Sequence, residues 1–261
     1  MEFTDQMERR FTLVHTPKRI ISLVPSQTEL LYDLGLEDAI VGITKFCVHP
    51  YHLKSTKTIV GGTKNIKLEK IKELQPDIIL CNKEENTEQI VKDMETIAPV
   101  HVSDIKNIED ALSLIRMYGD IFQIKDVAYS LVSQIQKKHI AFSNSIDTEV
   151  PYKTVAYFIW KDPWMVAGND TFIDYLLTEC GFENVFKKKD GRYPEVRLDQ
   201  LQGVDYIFLS SEPFPFAEKH IEELKLKTRA KIVLVDGEYF SWYGSRLLGA
   251  FDYFSDLRKQ L

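Results

Sequence analysis

The chain has 261 residues, of which 28% are charged and 44% hydrophobic, with 33 Lys and Arg against 39 Asp and Glu. This composition excludes disordered and fibrous classes and predicts a globular protein long enough for two lobes. The net charge of −6 argues against nucleic acid as a partner, because neutralising phosphates requires clustered Lys and Arg. Three cysteines without a CxxC pair predict reduced thiols rather than a disulfide framework.

The first part of the chain alternates short apolar runs with helical patterns. Strands are predicted at 19–24, 39–43, 77–80 and 99–102, and helices at 27–34 and 68–74. Such alternation is typical of a parallel α/β lobe. Ser26, followed by Glu29 three residues later, predicts a capping box at the start of the first helix.

A long helical pattern runs over residues 108–142, interrupted only by Gly119. The alternation then restarts, with strands predicted at 154–158, 205–209 and 231–235 and helices at 171–180 and 251–261. We therefore predict an N-terminal α/β lobe over 1–120, a bridging helix over 121–146 and a C-terminal α/β lobe over 147–261.

Catalytic signatures do not occur in this sequence. It has no GxSxG elbow, no GxxxxGK[ST] loop, no GxGxxG fingerprint and no HExxH helix, which favours a binding protein over an enzyme. Cys47, His49 and His52 lie in one loop and could donate thiolate and imidazole ligands to a metal. Three donors in a single loop seldom complete a closed metal site. His49 is the one residue of this loop that we name as a candidate metal contact.

Aromatic residues are concentrated in segments that follow predicted strands, where open α/β sheets bind their ligands. Aromatic walls at that edge suit a large, partly flat ligand, although packing under long loops is the alternative for each residue. These aromatic residues are Phe46, Trp160, Trp164, Tyr193, Phe214, Phe216, Tyr239, Phe240, Trp242 and Tyr243.

Several stretches together resemble the helical-backbone metal receptor family, the substrate-binding proteins of ABC importers for vitamin B12, ferric siderophores and haem. The matching stretches, in family order, are residues 17–30 (PKRIISLVPSQTEL), 67–71 (KLEKI), 75–79 (QPDII), 162–168 (DPWMVAG), 181–186 (GFENVF) and 193–201 (YPEVRLDQL). The resemblance implies two Rossmann-like α/β lobes, a single long backbone helix that bridges them, and a ligand cleft between the lobes.

The resemblance also implies specific roles for individual residues. Ligand contacts are expected at Phe46, Trp164, Tyr193 and Glu238, with further contacts at Trp242, Trp160 and Tyr239. Glu69 and Asp199 fall where the family places the surface carboxylates that dock each lobe to the membrane permease. Glu69 and Asp199 also occupy equivalent positions in a weak internal repeat, in which a short helix that contains an acidic residue precedes a strand.

The expected function is therefore that of a non-enzymatic receptor that needs no cofactor of its own and binds a corrinoid in its cleft. A ferric siderophore or haem receptor is the first alternative, and a cytoplasmic corrinoid-handling protein or enzyme on the same fold is the second. The family implies a monomer at the periplasm or cell surface. Residues 1–19 contain no apolar signal core, so the chain as it begins is expected to be cytoplasmic.

Overall fold

The computed structural model describes residues 1–147 and 149–261. The strands are β1 (Glu2–Thr4), β2 (Arg10–Thr12), β3 (Ile20–Ser22), β4 (Ile40–Ile43), β5 (Thr58–Ile59), β6 (Ile78–Asn82), β7 (Val100–Ser103), β8 (Lys153–Trp160), β9 (Met165–Val166), β10 (Phe182–Asn184), β11 (Tyr206–Ser210) and β12 (Lys231–Val235). The α-helices are α1 (Pro25–Asp33), α2 (Leu53–Thr56), α3 (Leu68–Glu73), α4 (Glu88–Glu95), α5 (Ile108–Ile121), α6 (Lys125–Ser143), α7 (Phe172–Glu179), α8 (Glu218–Lys225), α9 (Gly237–Ser241) and α10 (Leu247–Gln260). Short 3-10 helices cover Glu37–Ala39 and Leu198–Leu201.

The chain divides into two compact units. The N-terminal unit comprises Met1–Gln136 and Tyr243–Leu247, and the C-terminal unit comprises Lys137–Trp242 and Leu248–Leu261. Helix α6 contains the point at which the first unit gives way to the second. The three-part division at residues 120 and 146 stays a prediction.

The N-terminal unit contains a five-stranded parallel sheet in the order β5-β4-β3-β6-β7. Ile21 in β3 aligns with Gly42 on one side and Ile79 on the other, and both isoleucines are fully buried, as expected for a strand covered on both faces. The chain turns to opposite sides after β3 and β6, which makes this pair the topological switch point of the sheet, where α/β proteins bind ligands.

The C-terminal unit repeats this design. Its parallel strands lie in the order β10-β8-β11-β12, and β9 pairs antiparallel with β8. The chain moves to one side after β8 and to the other after β11, so the switch point lies between these two strands. The α/β fold class predicted from the sequence is confirmed, with a parallel sheet in each unit.

The predicted helical stretch over 108–142 is wrong in one respect, because two helices occupy it. Helix α5 ends before Phe122, and α6 starts only at Lys125, with Gln123 between them at a positive φ of 58°. Gly119 does not interrupt α5. A Cβ at this position would lie 2.8 Å from the Cβ of Ala128, so glycine allows the start of α6 to pack closely.

The predicted capping box at Ser26 is also wrong. Helix α1 already begins at Pro25, and Val24 occupies the N-cap position without a side-chain cap. Proline is favoured in the first helical turn because it lacks the amide hydrogen that would otherwise be unsatisfied there. Glu29 is therefore not held by the helix start and instead forms an ion pair with Arg246.

Candidate functional site

Four aromatic side chains cluster at the switch point of the C-terminal unit. Trp160 ends β8, and Trp164 follows it; Phe214 and Phe216 follow β11. Trp160 meets Phe214 edge-on at 5.6 Å between ring centroids, Trp164 stacks on Phe216 at 6.0 Å, and the two phenylalanines are 4.7 Å apart. We call Trp160, Trp164, Phe214 and Phe216 the aromatic cluster.

The members of the aromatic cluster differ in exposure. Trp160 is 40% exposed. Trp164 is half-buried and packs against the hydrophobic core of its unit, with Phe158 edge-on at 5.4 Å and the Lys161 ammonium 5.2 Å from its ring centroid. Trp160 therefore offers the larger open surface for stacking, whereas Trp164 also supports the fold.

A carboxylate precedes Phe214 of this cluster by two residues. Glu212, between β11 and Phe214, accepts hydrogen bonds from the indole nitrogen of Trp242 at 2.9 Å and the hydroxyl of Ser241 at 2.8 Å. Trp242 is only 6% exposed. Glu212 is not among the contacts predicted from the sequence, although its position after a buried strand and before Pro213 and Phe214 is a usable signal.

The other predicted contacts of this unit lie in two different places. Tyr193 is half-buried in the segment that pairs with residues 164–168. Tyr239, in α9, stacks on Tyr253 of α10 at 4.7 Å between centroids, so it packs within the unit. The amide of the neighbouring Glu238 donates to the Asp236 carboxylate, which caps α9.

In the N-terminal unit, Phe46 lies just after β4 and is 49% exposed. The Lys45 ammonium lies 4.9 Å from its ring centroid. A Cβ on Gly62 would come within 3.1 Å of the Phe46 ring, so a glycine at this position leaves room for the aromatic side chain.

A second carboxylate that is not among the predicted contacts, Glu85, lies in the segment after β6. Its burial raises the pKa of the carboxyl above its ordinary value, while the Lys64 charge and a hydrogen bond from Thr63 oppose this shift. The nearby backbone is held by the side chain of Asn82, whose oxygen accepts from the amides of Glu84 and Glu85 at 2.8 and 3.2 Å.

A buried polar network lies at the switch point of the same unit. Gln27 donates to the hydroxyls of Ser103 and Tyr243 at 2.6 and 3.0 Å, and it accepts from the hydroxyl of Tyr118 at 2.7 Å. Tyr243 is 7% exposed. Since buried hydroxyls and amides need partners, this network fixes the segment Tyr243–Leu247 on the N-terminal unit.

The loop with Cys47, His49 and His52 does not bring its donors to one point. The Cys47 thiol is buried against the hydroxyls of Thr28 and Thr44, and burial raises its pKa, while His52 bonds Glu37 at 2.7 Å. Among residues 1–147 and 149–261, no group of three or more His, Cys, Asp or Glu side chains could hold a metal ion. The role of His49 stays a prediction.

The two predicted docking acids lie on helix surfaces. Glu69, in the first turn of α3, pairs with Lys72 at 2.9 Å and is 78% exposed at its side chain. Asp199, in the 3-10 helix Leu198–Leu201, pairs with Arg197, and this hydrogen bond lowers the pKa of the carboxyl. Exposed pairs of this kind contribute little to stability, so both acids can be exchanged without disturbing the fold.

No helix within the described residues is long and apolar enough to cross a membrane. The crystal structure of the periplasmic vitamin B12 binding protein BtuF of Vibrio cholerae superimposes with a TM-score of 0.75 at 19% identity, and the match covers 94% of this chain and 99% of that chain. At this identity the similarity shows the fold alone.

Two relatives are similar in sequence, one named as a vitamin B12-binding protein and one as an ABC transporter substrate-binding lipoprotein. A vitamin B12-binding protein of Vibrio campbellii is 26% identical over 187 residues, which cover 70% of this chain and 66% of that protein. An uncharacterized ABC transporter substrate-binding lipoprotein of Bacillus subtilis, YvrC, is 27% identical over 194 residues and is covered to 61% of its length. The matches thus span somewhat less than two thirds of both relatives.

A family model described as periplasmic binding protein matches residues 20–231. This range begins with β3, ends at the start of β12, and includes the switch points of both sheets. The chain therefore belongs to the periplasmic binding protein family.

Proposed function

We propose that this protein is the substrate-binding component of an ABC importer and that it binds a corrinoid or a related metal chelate without turning it over. The observation that carries this proposal is the aromatic cluster at the switch point of the C-terminal unit, where Trp160 is 40% exposed. Family membership and the ABC transporter substrate-binding relative support the transport role, and the vitamin B12-binding relative supports the ligand class.

The physical basis of binding is the burial of a macrocycle against aromatic faces. One fully buried aromatic contact is worth on the order of 2–3 kcal/mol, so Trp160 with a few further contacts is enough for micromolar to nanomolar affinity after association costs. The carboxylate of Glu212, in the same unit as Trp160, would add a hydrogen-bond acceptor for amide groups at the ligand rim.

Isothermal titration tests this function directly. The purified protein is titrated with cyanocobalamin, cobinamide, haem and ferrichrome, and the fluorescence of its three tryptophans is followed in parallel. Saturable corrinoid binding, with the ligand recovered chemically unchanged, would support the proposal. Binding of haem or ferrichrome alone would assign the alternative ligand class, and turnover of a bound corrinoid would contradict the receptor role.

We further propose that Glu69 and Asp199 dock the loaded protein, as a monomer, onto an arginine-bearing permease. Exposed carboxylates steer and orient such transient complexes, so they affect the association rate more than the final affinity. Both acids lie on helix surfaces with partners that a permease arginine can replace.

A further inference from the structure

A basic pocket of about 570 Å³ opens on the C-terminal unit. Four cationic side chains line it, against two carboxylates, Asp170 and Asp190, although the whole chain carries a net charge of −6. The cationic residues are Lys187, Lys188, Lys189 and Arg192. This volume lies within the range of small-molecule sites, and the local excess of positive charge favours an anion.

The lysines of the pocket differ in their partners. Lys187 lies 3.8 Å from the Asp174 carboxylate, and Lys189 bonds the carbonyl of Glu195. For Lys188, which is exposed, the described part of the chain provides no hydrogen bond or ion pair. Its ammonium group is therefore the one whose charge an incoming anion would neutralise.

The wall of the pocket is held in place by close backbone packing. The amide of Gly168 donates to the carbonyl of Arg192 at 2.7 Å. A Cβ on Gly168 would lie 2.9 Å from the Gly191 carbonyl and 3.0 Å from Pro194. Glycine is therefore required at this position for the segments 164–168 and 191–196 to pack against each other. A pocket built in this way does not need to be ordered by its ligand, which reduces the cost of binding.

The same two segments connect the pocket with the aromatic residues of this unit. The carbonyl of Trp164 accepts from the amide of Val196 at 2.9 Å, and the carbonyl of Pro194 accepts from the amide of Val166 at 3.2 Å. Tyr193 directly follows Arg192 in this wall. A ligand with an apolar body and an anionic substituent thus finds both kinds of surface on one unit.

We infer that this pocket binds an oxyanion, a phosphate or a carboxylate, that the ligand itself carries. The inference rests on the proposed function and narrows its substrate class to metal chelates with an anionic substituent. Lys188 would supply the main charge contact, and the neighbouring lysines would add to the local potential.

Two pairs of macrocycles test this inference, since the members of each pair differ in their anionic groups. Cobalamin, which bears a phosphodiester, is compared with cobinamide, which lacks it, both in excess cyanide so that their axial ligands match. Haem is compared with its dimethyl ester. We expect the anionic member of at least one pair to bind roughly tenfold to a hundredfold more tightly, the range of one charge-assisted contact.

The variant Lys188→Glu should abolish this preference, because it replaces the cation with a repelling charge. Lys227→Glu, on an exposed lysine of the same unit outside the pocket, is the matched control and should keep it. Equal affinity for both members of both pairs, or an unchanged preference in Lys188→Glu, would overturn the inference.

Titration with inorganic phosphate separates failure of the inference from failure of the proposed function. If no macrocycle binds but phosphate binds and is lost in Lys188→Glu, the proposed function fails and the pocket takes an anion from solution instead. If macrocycles bind without any preference for the anionic member, the receptor role stands and the inference fails.

Discussion

Arg246 donates two hydrogen bonds to the carboxylate of Glu29, at 2.9 and 2.6 Å, across 217 residues of sequence. The two side chains are only 12% and 15% exposed. This pair joins Tyr243–Leu247 to α1 within the N-terminal unit. It acts together with the Tyr243 hydroxyl, which Gln27 contacts from the same helix.

Removing Arg246 should strongly destabilise the protein. Burial raises the pKa of Glu29 above its ordinary value while Arg246 opposes this shift, so Arg246→Met leaves a buried carboxylate without its cation. We expect a loss of about 3–5 kcal/mol in the free energy of unfolding at pH 7, measured by urea denaturation. Adding Glu29→Gln to Arg246→Met should restore part of the lost free energy of unfolding, because it removes the buried charge.

The same variant should show a characteristic pH dependence. A carboxyl whose folded pKa is raised favours folding below its unfolded pKa, and this contribution is lost as the pH rises through the folded value. The deficit of Arg246→Met should therefore shrink as the pH falls towards about 4. A deficit that is independent of pH would show that Glu29 is not left charged and buried.

His101 should make the protein less stable in mild acid. Its fully buried ring, against Phe11 and Tyr118, has a pKa lowered to about 3, first by burial and then by the Arg9 charge. The unfolded chain binds a proton near the ordinary pKa of about 6.5, whereas the folded chain does not, so stability falls as the pH drops between these values.

Between pH 7 and pH 5, this one group should lower the free energy of unfolding by about 2 kcal/mol. His101→Gln removes the titrating ring and should flatten that slope, whatever its own stability at pH 7. His15→Gln, at an exposed histidine, should keep it. Equal slopes in all three proteins would disprove the assignment.

Trp160 and Trp164 should separate ligand binding from stability. Trp160→Ala should weaken corrinoid binding about tenfold or more and leave the unfolding free energy almost unchanged, since this side chain is 40% exposed. Trp164→Ala should in addition lower stability by about 3 kcal/mol, because its ring packs on the hydrophobic core. Unchanged affinity in Trp160→Ala would remove this residue from the site.

Charge reversal at Glu69 and Asp199 should affect transport alone. The double variant Glu69→Lys/Asp199→Lys should keep its ligand affinity and melting temperature but lose association with the cognate permease in nanodiscs, since each acid is replaced by a repelling cation. Glu73→Lys, an exposed acid on the same helix as Glu69, is the matched control. Normal association of the double variant would rule out this docking mode.

The strands were the most predictable part of the fold. The apolar run at 77–80 corresponds to β6, whose five residues are all buried, because a strand covered on both faces needs an uninterrupted apolar sequence. The run at 231–235 corresponds to β12, the half-buried strand at the edge of its sheet. Short elements such as β9 and α9 could not be predicted, since they depend on pairing with β8 and on a cap from Asp236 rather than on periodicity.

The candidate site was only partly predictable. Trp160 and Trp164 could be found because they follow a predicted strand, at the edge where open α/β sheets bind their ligands. Their unequal exposure could not be foreseen, because Trp164 is covered by Phe216, which comes about 50 residues later in the chain. Glu212 was missed for the same reason: its partners Ser241 and Trp242 come about 30 residues later.

The sequence by itself determined the α/β class, the positions of the buried strands along the chain and the family resemblance. These features depend on local periodicity and on motifs that follow one another in the chain. Only the tertiary structure decided that Glu29 pairs with Arg246 rather than capping its helix, and that three consecutive lysines line a pocket. The physical reason is that ion pairs and cavities arise between segments that are distant in sequence, which no local pattern records.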